Sequence, residues 1–121
     1  VHARLTPENR QMFSRERFAQ MRHGAYFINT ARESLVDEPA LAEALEKGQL
    51  GGAALDVLER TLERHPLLAM PNVFVTPHIG GATAETLARG ARRAVAAVTE
   101  LLAGQVPANV VNPDFLGSVR L

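Results

Sequence analysis

The chain has no cysteine and no tryptophan. Without cysteine it can hold neither a disulfide framework nor a thiolate metal site, and no metal is expected. It also lacks an excess of either charge: 13 Lys and Arg stand against 13 Asp and Glu, for a formal net charge of zero. A nucleic acid or a membrane surface held mainly by charge is therefore not an expected partner. No apolar run is long enough to cross a bilayer, and nothing at the start has the layout of a signal peptide, so a cytoplasmic setting is the default expectation. An initiator methionine is missing as well. The chain opens on Val1-His2, with Leu5 soon after. That reads as the tail of a strand, and we expect a piece of a longer polypeptide. Its 121 residues are enough for one small domain with a real core.

What is present is an alternation of helix and strand signals. Thr6-Pro7-Glu8 has the form of a helix start, with a cap, a proline at the first helical position and an acid facing the dipole. Ser14 is a second cap, followed by Phe18 and Met21 on one face, and Gly24 ends that helix. Residues 25–28, Ala-Tyr-Phe-Ile, form a short apolar run with aromatic and β-branched members, which favours strand. Asp37 caps the next helix, striped by Leu41, Ala44 and Leu45 and stopped by Gly48. Residues 51–57 read as a strand buried on both faces. A polar loop over residues 60–66 follows, then a strand from Asn72 through Val73, Phe74 and Val75. Thr83 opens the longest helix, with Leu87, Ala91, Val95, Val98 and Leu102 at helical spacing. Gly104 ends it, and residues 106–121 are irregular, broken by Pro107 and Pro113. The fold class is α/β, with a mostly parallel sheet and helices on both faces.

Each strand leads to one polar residue: Arg32 after the first, Asp56 near the end of the second, His78 after the third. Parallel strands share a direction, so all three reach one edge of the sheet, where open α/β sheets bind ligands. The bland readings are an Arg32 paired with Glu33 or Asp37 on the surface, a turn-capping Asp56 and a loop histidine bonded to backbone. For each residue alone the bland reading has the edge. Together, with His78 between Pro77 and Gly80-Gly81, the functional reading is ahead. Arginine grips a carboxylate with two prongs. Histidine can exchange a proton with a hydroxyl. A neighbouring carboxylate would hold the ring and favour its charged form. The set suits a small hydroxy acid, but it contains no hydride acceptor.

Asn29-Thr30-Ala31-Arg32 with Leu35-Val36-Asp37, Gly52-Ala53-Ala54-Leu55-Asp56-Val57 and Thr76-Pro77-His78-Ile79-Gly80-Gly81 resemble the D-isomer-specific 2-hydroxyacid dehydrogenases, from His2 to about Asn112. The resemblance implies the second half of a Rossmann-type domain for NAD or NADP. Residues 1–104 would be its C-terminal part, and residues 105–121 a tail returning toward a substrate domain. It implies Arg32 as the substrate-carboxylate arginine and His78 as the general acid/base. Thr30, Ala31, Arg32, Asp56, His78, Ile79, Gly80 and Gly81 would be the cofactor side, with Asp56 near the carboxamide and His2 also close. It implies a small 2-hydroxy or 2-keto acid as partner and a homodimer for the parent protein.

There are departures. The Gly-x-Gly-x-x-Gly turn is absent and would lie upstream of Val1, and with it the pyrophosphate cradle. The family's glutamate partner of the histidine falls at Thr61. Either Glu63, two residues on, takes the role, or the dyad is broken. Glu33 stands where members often have glycine, and Arg4 where they usually have proline. Three readings follow: part of an NAD(P)-dependent oxidoreductase, a dinucleotide-sensing interaction module, or a fragment without independent catalysis.

Overall fold

The computed structural model of the chain describes residues 1–58 and 65–112. Glu59, Thr61, Glu63 and the end of the expected tail lie outside them. Two compact units are present, Val1–Gly80 and Gly81–Leu121.

The first unit is built on a three-stranded parallel sheet of β1 (Ala25–Asn29), β2 (Leu50–Leu55) and β3 (Val73–Val75), in that spatial order. Helices α1 (Arg15–Ala19) and α2 (Glu38–Glu46) precede and connect the strands. The helix start at Thr6 gives only a three-residue 3-10 turn, Pro7–Asn9. Helix α1 ends at Ala19, five residues short of Gly24; that glycine, with φ +77°, turns the chain into β1 instead of capping the helix. Asp37 caps α2 as expected, its carboxylate accepting from the Ala40 N–H at 3.0 Å.

The core lies under one face of the sheet. Phe27, Leu50 and Leu55 from the strands meet Phe18 of α1 and Leu41 and Leu45 of α2. Phe13 and Phe18 stand edge-on to Phe27, with centroids 5.1 and 5.3 Å away. Burying each such side chain stabilises the fold by about 1.5–3 kcal/mol. Within this unit the opposite face is open among the described residues. Tyr26, Ile28 and Phe74 are 76%, 56% and 68% exposed, and Ile28, Ala54 and Phe74 stand side by side in register. The expected helical cover is thus realised on one face of this unit. Strand β2 is likewise not buried on both faces: Gly51 is exposed and Ala54 half-buried. Of its alanines, Ala53 is buried in the core and Ala54 lies on the other face.

In the second unit, α3 (Ala84–Leu102) starts at Thr83, whose hydroxyl oxygen accepts from the Thr86 N–H at 3.1 Å. Its apolar stripe, Leu87, Val95, Val98 and Leu102, is exposed. Gly104 follows with φ +74°.

Candidate functional site

Register fixes the site's frame. Asn29 pairs with Leu55, and Leu55 with Val75, so the three strands end level. The ladder continues one step further: Asp56 N–H donates to Asn29 C=O, and Thr76 N–H to Leu55 C=O, both at 2.9 Å. Asp56 and Thr76 are thereby delivered to the C-terminal edge next to each other.

Asp56 is buried there and takes three donors. Its Oδ1 accepts from the Thr76 hydroxyl at 2.5 Å and from the Ile79 N–H at 2.8 Å; Oδ2 accepts from the Gly80 N–H at 2.8 Å. The Thr76 hydroxyl, then the Gly80 N–H, then the Ile79 N–H hold its carboxyl below the ordinary aspartate value against the opposing effect of burial; a charged His78 adds a smaller pull in the same direction. A Cβ on Gly80 would lie 2.8 Å from Asp56 Oδ2. The glycine therefore has a structural reason to be there before any ligand is considered.

This clamp shapes the turn that carries His78. The His78 N–H donates to Thr76 C=O at 2.9 Å across Pro77, and His78 sits at φ +60°. For a residue other than glycine that left-handed backbone costs about 1–2 kcal/mol. The bonds to Asp56 on either side hold it. The imidazole is exposed and lines a cavity of about 590 Å³ shared with Asp56, Thr76, Glu33 and His65.

Arg32 is placed by a different device. Asn29, only 1% exposed, accepts from the Ala31 N–H at 3.0 Å through Oδ1 and donates from Nδ2 to Arg32 C=O at 2.9 Å. That pair folds residues 30–32 into a tight turn. The Arg32 guanidinium donates back to Ala31 C=O at 2.6 Å. It makes no ion pair with a described residue, so the surface pairing with Glu33 or Asp37 is not present. Arg32 and Thr30 line a second cavity, of about 520 Å³, with His2 and Arg4. The three expected residues thus share one sheet edge but not one cavity. Strand order is the reason: β2, with Asp56, lies between the strand that ends at Arg32 and the strand that ends at His78.

Several contributors escaped sequence reading. Thr76 and Asn29 sit inside recognised motifs, but their partners are set by the fold. His65, in what reads as a polar loop, is buried, with Nε2 2.7 Å from Glu38 Oε2 and Nδ1 accepting from the Leu67 N–H at 3.3 Å. An acceptor at Nδ1 fixes the tautomer that carries its proton on Nε2. The only sequence signal was a histidine directly before Pro66. No group of three metal-ligating side chains occurs among the described residues.

A dinucleotide at this edge needs donors and acceptors that the fold has not already used. The Ile79 and Gly80 amides are committed to Asp56, so they do not offer N–H groups outward. Asp56 Oδ2 accepts from the Gly80 N–H and keeps room for a second donor, such as an amide N–H. A Cβ on Gly81 would meet nothing within 4 Å. With the Thr30 and Arg32 turn at the same edge, the free acceptor position of Asp56 suits the amide end of such a cofactor.

Comparison with known proteins gives the same direction. The profile of the D-isomer specific 2-hydroxyacid dehydrogenase NAD binding domain matches residues 1–80, the extent of the first unit. Glyoxylate/hydroxypyruvate reductase B of Escherichia fergusonii is 49% identical over 112 residues, covering 91% of this chain and 35% of that protein. A D-lactate dehydrogenase with NAD+ from Lactobacillus jensenii superposes with a TM-score of 0.83 at 32% identity, over 91% of this chain and 38% of that one. A D-isomer specific 2-hydroxyacid dehydrogenase from Xanthobacter autotrophicus Py2, in complex with NADPH and MES, gives 0.76 at 41% identity, over 94% and 47%. The chain spans about a third of the length of the curated relatives it matches. It belongs to the D-isomer specific 2-hydroxyacid dehydrogenase family, as part of that family's NAD-binding domain.

Proposed function

We propose that the protein containing this chain interconverts a D-2-hydroxy acid and the matching 2-keto acid. The observation that carries the reading is the His78 turn, held by Asp56 at the level strand ends with the imidazole left exposed. A bound NAD or NADP supplies the hydride exchange. His78 gives its proton to the carbonyl oxygen in reduction and takes it back in oxidation. The guanidinium of Arg32, free of ion pairs with described residues, holds the substrate carboxylate and so orients C2. Asp56 holds the histidine turn and can accept from the carboxamide of the cofactor. Thr30, Ala31, Ile79, Gly80 and Gly81 complete the cofactor side, and Glu63 is assigned from the sequence as the acid partner of His78. Small 2-keto acids are the substrate class, in keeping with the names of the relatives, and the working form is a homodimer.

The test is His78→Ala in the full-length protein, assayed on glyoxylate and hydroxypyruvate with NADH and NADPH. General acid–base catalysis contributes about 10²–10⁴-fold, and a loss of kcat of that order is expected. Turnover within a few-fold of the unsubstituted protein would remove His78 from the chemistry. Thr61 at the glutamate position favours one second reading, a dinucleotide-sensing interaction module. Tight NADH binding with no turnover of any 2-keto acid would select it.

A further inference from the structure

The second cavity carries more charge than a single carboxylate needs. Arg4 and Arg32 both line it, with His2 beside them and no acidic residue in its wall. Neither guanidinium makes an ion pair with a described residue. Both are held by their backbones. Asn9 donates from Nδ2 to Arg4 C=O at 2.7 Å, and its Oδ1 accepts from the Thr6 N–H at 2.8 Å, which fastens the segment ahead of the Pro7–Asn9 turn. Arg32 is fastened by Asn29 and by its own bond to Ala31 C=O. Two cations thus share the wall of one open space, and an anion bound there is attracted to both.

We propose that this cavity takes a ligand with two anionic groups, the first on Arg32 and the second on Arg4. The proposal rests on the dehydrogenase reading for the Arg32 carboxylate and adds Arg4 as a specificity-determining residue. The second group is a carboxylate or a phosphate, both of which arginine grips with two parallel bonds. It is carried either by the substrate acid, beyond C2, or by the dinucleotide.

Arg4→Gln in the full-length protein separates the two sources, and Arg4→Lys keeps the charge without the fork. Equilibrium binding is read by calorimetry in the presence of NAD+, so that no keto acid is reduced. Glyoxylate, with one anionic group, is compared with oxaloacetate, with two. Binding of NADH and NADPH is measured separately by fluorescence. Loss of one charge-assisted contact is expected to weaken the affected ligand by about tenfold or more, with Arg4→Lys in between. Weaker oxaloacetate with glyoxylate unchanged puts the second anion on the substrate. Weaker NADH or NADPH with both acids unchanged puts it on the dinucleotide. Changes within twofold for all four ligands, or equal losses for glyoxylate and oxaloacetate, overturn the proposal. If Arg4→Gln shows the expected selectivity but the unsubstituted protein reduces no 2-keto acid, the dehydrogenase reading falls and the anion site stands.

Discussion

Asp56 is where a single side chain decides the geometry of its neighbours. Its bond to the Thr76 hydroxyl is the largest cause of its lowered pKa. A carboxyl whose pKa is depressed on folding adds stability that is present above its unfolded pKa and lost as pH falls through the folded value. Thr76→Val removes the hydroxyl and keeps the shape, so the folded pKa returns toward the ordinary one. The contribution then becomes smaller and disappears at a higher pH. Acid unfolding of the full-length protein, followed by circular dichroism, is expected to shift its midpoint upward in Thr76→Val and to return in Thr76→Ser. An unchanged midpoint would mean that the clamp carries no such linkage. Sequence reading reached Asp56 and His78 because each follows a strand-like run. It did not reach Thr76 or Asn29 as organisers. Thr76 bonds to a carboxylate 20 residues away, and Asn29 braces a turn whose shape is not written in composition.

At the scale of the element, the strands and helices were legible because their signals are local: caps at Asp37 and Thr83, an apolar run at β1, small residues in β2. What was not legible was how the strand ends divide the polar residues. Sharing an edge was foreseeable from parallel direction. The split into two cavities needs the spatial order of strands, which no periodicity encodes. The connection from β3 toward α3 also separates two adjacent glycines. A Cβ at Gly80 meets Asp56 Oδ2 at 2.8 Å, while one at Gly81 meets nothing within 4 Å. Gly80→Ala is therefore expected to push the clamp apart, lowering the melting temperature of the full-length protein by a few degrees and slowing turnover. Gly81→Ala should leave the melting temperature where it was. Equal effects in calorimetric scans would show that the Asp56 contact is not what requires the first glycine.

For the whole molecule, large apolar side chains stay exposed on two elements: Tyr26, Ile28 and Phe74 on the sheet, and the stripe of α3. The sequence predicts helices on both sheet faces; within the first unit they cover one, because an apolar run looks the same whatever lies over it. The motifs of a dinucleotide domain are present, but the glycine turn that cradles the pyrophosphate is not in this sequence, and that turn with its helix N-terminus provides much of the grip. We expect the 121-residue chain by itself to show no measurable NAD binding by calorimetry, whereas the full-length protein binds it. Tight binding by the short chain would mean that the residues at this edge suffice without the cradle.

The level ending of β1, β2 and β3 has a consequence for how such a domain can change over time. Side chains along a strand alternate between faces, so one added or deleted residue reverses them all. Within β2 that would turn Asp56 away from Thr76 and bring Leu55 in its place, although no polar residue had been replaced. Letters in these segments are open to drift, but their count is not. Indels in natural variants should therefore gather in the connections between strands and be missing from the stretches that end at Asn29, Leu55 and Val75.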